Sequence, residues 1–265
     1  MAGLLPLLRR GIEQLGYDPP MFAPVRMARR TFRAIGLDVE PFGPRSMPWQ
    51  LRRLFRSRMI DTLVDIGANR GQFALAMRDL GFGGTIPSFE PVPEVFATLK
   101  ATAARDQGWQ VHPLALAAAP GRATFHVGRY DQTSSLKPLA PGESDAHEVL
   151  KVARQIEVEV DTLDAFVKTS GIDPRTSLLK IDVQGAEFDV LDGAAGTLPL
   201  TRAVICETAF EKSYVGEADF GALVERLLAL GFRLNGIAPV YFHPRRLSIM
   251  QVDVLFVRPW ASHPA

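Results

Sequence analysis

The segment best equipped for chemistry is Val64-Asp65-Ile66-Gly67-Ala68-Asn69-Arg70-Gly71-Gln72, where an apolar strand runs into a small-residue turn and then a helix start. Small residues let backbone approach a bound molecule closely, and a helix start offers N–H groups without intrahelical partners. A glycine pattern alone is weak evidence, because Gly67 and Gly71 could serve only a tight turn. Glu90 strengthens it. It ends the next apolar strand, about 20 residues on, where an acid can accept hydrogen bonds from both hydroxyls of a ribose; the bland alternative is a surface carboxylate. More carboxylates close strands further along. Asp182 follows Ser177–Ile181, and Glu207 follows Ala203–Cys206. In open α/β sheets, ligands bind at that carboxyl edge. Asp182 could instead cap the next helix and hold the Gly185 turn, and Glu207 could pair with an arginine. Glu187 reads as a first-turn carboxylate favoured by the helix dipole.

Two ligand classes suit such a turn beside a ribose-binding acid. A dinucleotide prefers the fuller Gly-x-Gly-x-x-Gly pattern. Here the spacing is Gly67-x-Asn69-x-Gly71, preceded by the acidic Asp65. A carboxylate repels a pyrophosphate but suits a cation that bears an amino acid. That reading points to S-adenosylmethionine, with a nicotinamide cofactor as its competitor.

These residues need a frame, and the periodicity from residue 60 supplies one. Strands are expected at Asp61–Asp65, Thr85–Phe89, Gln110–Leu116, Ser177–Ile181, Ala203–Cys206, Phe232–Ile237 and Val252–Val257. Helices are expected at Gln72–Leu80, Pro93–Ala103, Ala186–Leu191 and along the stripe Phe220, Leu223, Leu227, Leu230. Alternating strands and helices imply right-handed crossovers and a parallel sheet covered on both faces. The final two strands lack a helix between them and suit an antiparallel edge pair. Ala123–Val127 and Gln155–Val160 alternate with period two, as antiparallel strands with one solvated face. A polar stretch from Gly128 to Glu148 separates them, and Asp161 is expected to cap a short helix with Asp164 in its first turn.

Residues 1–58 form an expected helical, basic extension ahead of a body at 59–265. The first segment holds 11 basic and 4 acidic side chains, the second 19 and 25. Arg26, Arg29, Arg30 and Arg33 share one face of a helix; that stripe is either simply solvated or a dock for an anionic surface or partner. A second helix should follow Ser46, with Pro48 in its first turn and Leu51, Leu54 and Phe55 facing inward.

The composition is ordinary for a globular chain, with 265 residues, 47% hydrophobic and a net charge of +1. No apolar run approaches the roughly 20 residues a membrane span needs. The single cysteine, Cys206, excludes a disulfide framework; it reads as core. Nothing in the overall charge argues for nucleic acid. The N-terminus makes a poor export signal, which gives a cytoplasmic expectation. Leu4, Leu5, Leu7 and Leu8 with the basic face add peripheral contact with the inner, anionic face of a membrane as an alternative placement. The histidines read as structural or solvated, with His243 the one to watch. Oligomeric state is not readable.

Five ordered segments together resemble the FkbM family of methyltransferases: Val64–Gly71, Phe89-Glu-Pro-Val-Pro93, Ser134-Ser-Leu136, Asp161-Thr-Leu-Asp164 and Leu179-Lys-Ile-Asp-Val-Gln-Gly-Ala-Glu187. The resemblance covers roughly residues 60 to 257 and leaves the first 58 unexplained. It implies the class I methyltransferase fold, a Rossmann-like, seven-stranded, mostly parallel sheet with its last strand antiparallel. It implies S-adenosylmethionine as cofactor, with Asp65, Gly67, Asn69 and Gly71 around the methionine part, Glu90 on the ribose and Leu114-Ala115 beside adenine. The acceptor implied is a hydroxyl of a sugar, on a glycolipid or another glycosylated natural product. N- or C-methylation of a small molecule and a non-catalytic cofactor-binding module are the alternatives.

A sugar hydroxyl is a weak nucleophile and must lose its proton as the new bond forms, so a general base is needed. Asp182 is the first candidate and Glu207 the second. The competing arrangement places a divalent metal on these two carboxylates, but no metal-ligand spacing supports it.

Overall fold

The structure is a computed structural model that describes residue 32 and residues 42–140, 151–217, 219–242 and 248–259. Two compact units divide the chain, Met1–Ser46 and Met47–Ala265. The arginine stripe, the leucines near the N-terminus, His147, His243 and His263 lie outside the described residues. Helix α1, Met47–Arg56, buries Leu51 and Phe55 in the same core as the sheet. It lies within the larger unit, Met47–Ala265.

The larger unit is built on a seven-stranded sheet of β1 (Thr62–Ile66), β2 (Ile86–Phe89), β3 (Trp109–His112), β7 (Ser177–Ile181), β8 (Ala203–Ala209), β9 (Arg233–Phe242) and β10 (Ile249–Val257), in the order β3-β2-β1-β7-β8-β10-β9. All pairs are parallel except those made by β10, which runs antiparallel to both β8 and β9. This is the class I methyltransferase order. The central strands are apolar on both faces, as a parallel sheet demands. One face packs Leu63, Leu178, Ile205 and Leu255 against α1 and helices α2 (Gln72–Asp79) and α3 (Pro93–Ala103). The other packs Val64, Leu179, Val204 and Val254 against α4 (Leu163–Ser170), α5 (Glu187–Asp192) and α6 (Phe220–Ala229).

The predicted strand Gln110–Leu116 is in fact two. β3 ends before Pro113, which has no N–H for the ladder. The chain then joins a second sheet as β4 (Ala115–Leu116), with β5 (Gly121–Gly128) and β6 (Val152–Asp161) in the order β4-β6-β5. β5 and β6 are antiparallel, as their alternation predicted. The cap of α4 is Thr162, whose Oγ1 accepts from Ala165 N at 3.1 Å. Asp161 was the expected cap, but its carboxylate is engaged one residue earlier, by Thr162 N at 2.7 Å. Asp164 instead holds a distant turn through Gly196 N and Thr197 N, each at 2.8 Å.

Candidate active site

Strand order reverses between β1 and β7, and a cavity of about 570 Å³ opens there, at the carboxyl ends of the parallel strands. That is the size and place of a small-molecule site in such a sheet. Gly67, Asn69, Glu90 and Ala115 line it, with Asp182 and Glu207. Asp65 and Gly71 are not among the lining residues.

The turn after β1 departs from the sequence expectation in an instructive way. Its amides are already used inside the protein. Gly67 N and Ala68 N donate to Phe89 O, Asn69 N to Glu90 Oε2, Arg70 N to Asn69 Oδ1 and Gly71 N to Ala68 O. A pyrophosphate would find none of these five N–H groups free. The glycines answer to protein neighbours. A Cβ on Gly67, at φ +77°, would stand 1.8 Å from the Asp182 carbonyl oxygen. One on Gly71, at φ +90°, would strike the Trp109 ring at 2.7 Å. Asp65 lies fully buried beneath the cavity, with Oδ1 3.5 Å from Lys180 Nζ and Oδ2 3.5 Å from Ser88 Oγ.

Glu90 sits at the end of β2, where Oε1 accepts from Val92 N at 2.9 Å and Oε2 from Asn69 N at 3.1 Å. Each oxygen keeps a lone pair for a ligand hydroxyl. Burial pushes this carboxyl up to about 7, against the pull of the two amides. Beyond it Leu114, Ala115, Leu116 and Phe125 give an apolar slot fit for a flat heterocycle. The segment 131–134 also lines the cavity and is tied to the β1 turn by Arg70 Nε, 2.9 Å from Asp131 Oδ2.

The other half of the cavity has a floor of carboxylates. Gln184 Nε2 donates to Asp182 Oδ1 at 2.9 Å and to Glu207 Oε1 at 2.7 Å, which holds the two acids side by side. Gln184 itself has φ +54°. It is held there by Ser135 Oγ, which donates to its carbonyl at 2.5 Å, and by Tyr214 Oη, 3.4 Å from Oε1. Asp253, on β10, stands opposite Glu207 in the antiparallel register. Glu187 Oε1 accepts from Gly185 N at 3.0 Å and Val183 N at 3.3 Å. Glu187 therefore holds the Gly185 turn, the alternative task considered for Asp182, and Asp182 faces the cavity. Burial pushes Glu187 up to about 7 and Asp253 up to about 6. Burial, then the nearby Asp182 and Asp253, push Glu207 well above the usual carboxylate range. These neighbours favour the protonated form of Glu207.

Six carboxylic side chains line the cavity: Glu90, Asp131, Asp182, Glu207, Glu211 and Asp253. Among the described residues the lining holds one cation, Lys180. A site of this charge suits a positively charged ligand and opposes a nucleotide diphosphate. The model of the methyltransferase FkbM domain matches residues 65–234. The chain belongs to that family.

Three relatives resemble this FkbM-family chain. Methyltransferase 1 of Beauveria bassiana (strain ARSEF 2860) is 30% identical over 145 residues, covering 49% of this chain and 57% of that protein. 2-O-methyltransferase NoeI of Sinorhizobium fredii (strain NBRC 101917 / NGR234) is 26% identical, covering 62% and 70%. 31-O-demethyl-FK506 methyltransferase FkbM of Streptomyces tacrolimicus is 28% identical, covering 63% and 72%. The match thus spans little more than half the length of the fungal relative. Among solved structures the chain is similar to magnesium protoporphyrin IX methyltransferase (ChlM) from Synechocystis PCC 6803, with a TM-score of 0.42 and 11% identity over 92% of this chain and 86% of that one. The chain carries an S-adenosylmethionine-dependent methyltransferase domain. Its site fits that cofactor through the acidic lining, the apolar slot and the two free lone pairs of Glu90. Among the described residues no group of three or more His, Cys, Asp or Glu side chains is placed to hold a metal, and none forms a helix long and apolar enough to cross a membrane.

Sequence reasoning missed Lys180, Gln184, Tyr214 and Asp253. Two of them left a signal. A lysine inside Leu178-Leu179-Lys180-Ile181 cannot reach water from a central parallel strand, so it needs partners. Asp253 sits between Val252 and Val254, on the strand face opposite two buried valines. Cys206 is core as expected, and burial raises its thiol well above its ordinary range.

The buried acids set a pH dependence. Glu90, Glu187 and Glu207 all have folded values above their unfolded ones, so folding favours the protonated forms. The stability they contribute is complete below the unfolded range of about 4 and is lost as pH rises through the folded values. His112, whose pKa burial lowers, opposes this loss only where the unfolded imidazole still binds a proton, near and below about pH 6.5. We expect the Tm of the ligand-free protein to fall between about pH 6.5 and 8.5, and Glu187→Gln to flatten that fall. A Tm that rises over this range would count against the buried placement of these acids.

Proposed function

We propose that the enzyme O-methylates a hydroxyl of an uncharged sugar or similar polyol, carried on a glycolipid or another glycosylated natural product. The observation that supports this is the acceptor half of the cavity. It offers Asp182, Glu207, Asp253 and Gln184 to hydroxyl groups, and the one cation among the described lining residues is paired with Asp65 and Asp182. A phosphorylated or carboxylated acceptor would meet a lining in which carboxylic side chains outnumber the one described cation.

The residues divide the work. Glu90 accepts from the ribose hydroxyls, and the Gly67–Asn69 turn lies along the methionine part. S-adenosylmethionine supplies a methyl group already activated on sulfonium. Protonated Glu207 donates a hydrogen bond to one acceptor oxygen and fixes the ring. Asp182 takes the proton of the reacting hydroxyl as the oxygen–carbon bond forms. Positioning of this kind is worth on the order of 7–11 kcal/mol, and base assistance a further factor of roughly 10²–10⁴.

Incubation with methyl-labelled S-adenosylmethionine and a cell glycolipid extract, separated into neutral and acidic fractions, tests this reading. Label in ether linkage on neutral glycosides is expected. Label on nitrogen or carbon, or on the acidic fraction alone, would overturn it, and cofactor binding without transfer would favour a non-catalytic module.

A further inference from the structure

Lys180 is the fourth of the five residues of β7, with its side chain only 9% exposed. Nζ donates to Gly67 O at 2.8 Å and lies 3.3 Å from Asp182 Oδ2 and 3.5 Å from Asp65 Oδ1. The Phe73 ring covers it, with its centroid 5.8 Å away. An ammonium has three N–H groups, and three acceptors surround this one. It hydrogen-bonds Gly67 O and pairs with both carboxylates, so its charge acts on these neighbours.

We propose that Lys180 is a positioning residue of methyl transfer: its ammonium fixes the aim of the Asp182 carboxylate and ties it to the Gly67 carbonyl, so that the turns after β1 and β7 form one wall. The inference rests on Asp182 as the base. Burial alone would strip a lysine of its charge, but Asp182 and Asp65 outweigh that cost and keep it protonated. The groups facing this spot are Asp65 from β1, Glu90 from β2, Glu187 from α5, Glu207 from β8 and Asp253 from β10, and all are acidic. Among the described lining residues, Lys180 is the one cation beside Asp182, and Gln184 Nε2 is the neutral donor to the same carboxylate.

Lys180→Met is expected to move the acid limb of the kcat–pH profile upward by about 1–3 pH units, the usual effect of a cation beside a carboxylate. The single change strands Asp65 in the core. The double variant Asp65→Asn/Lys180→Met removes both buried charges together and is the one expected to fold; thermal melting followed by circular dichroism checks this. In the double variant the acid limb stays displaced. An acid limb at the wild-type position, or a double variant that fails to fold where Asp182→Asn folds, overturns the proposal, because Lys180 then serves only Asp65 or the fold. The underlying reading fails separately. A full rate in Asp182→Asn removes the base itself, whereas a slow Asp182→Asn beside an unmoved limb in the double variant removes the Lys180 inference alone.

Discussion

Asp182→Asn is expected to lower kcat by roughly 10²–10⁴-fold, the range of general-base assistance, while the affinity for S-adenosylmethionine stays nearly unchanged. The expectation follows from position. Asp182 comes directly after β7, at the carboxyl edge of the sheet, and its side chain is 32% exposed to the cavity. Oδ1 and Oδ2 are aimed by Gln184 and Lys180. Of the other acids nearby, Glu187 is engaged in the Gly185 turn, and burial and repulsion favour the protonated form of Glu207. Asparagine keeps the shape and loses the proton acceptor. Single-turnover rates with calorimetric titration of the cofactor separate the two effects, and a variant with the full rate would move the base elsewhere.

Gly67→Ala should have the largest effect on the cofactor half. The residue has φ +77°, and an added Cβ would lie 1.8 Å from the Asp182 carbonyl oxygen, which is backbone and cannot swing aside. The dihedral strain alone costs about 1–3 kcal/mol. Gly171→Ala supplies the control, since Gly171 has φ +75° and open space where its Cβ would go. Both variants bear the strain, and only Gly67→Ala must also push β1 from β7. We expect Gly67→Ala to lower Tm well beyond Gly171→Ala and to abolish cofactor binding, with binding retained in the control. Equal losses in the two would mean that the close approach of the strand ends is not what glycine serves at 67.

The residues that line the cavity were legible to different depths. Glu90 and Asp182 could be placed because each directly follows an apolar strand, and strand ends in a parallel sheet share one edge; Glu207 was expected to end its strand, but β8 runs on to Ala209 in its pairing with β10. The β5–β6 pair was legible from period-two alternation, and the antiparallel edge from the missing crossover helix. What the sequence conceals is pairing across the chain. Gly67 and Gly71 look like ligand glycines, yet their neighbours Asp182 and Trp109 are remote in sequence. Asp65 looks like a cofactor carboxylate, and only the fold brings Lys180 to it. The break at Pro113 was visible as a residue but not as a change of sheet, because propensity says where a strand stops and not where the chain goes next.

The most direct measurement is a crystal structure of the enzyme with S-adenosylhomocysteine, the demethylated product of the cofactor. The ribose hydroxyls should meet Glu90, the adenine should lie against Leu114 and Ala115, and the sulfur should point toward Asp182. Finding the product at another place on the chain, or turned so that its sulfur faces away from the Asp182–Glu207–Asp253 floor, would contradict the account at its centre.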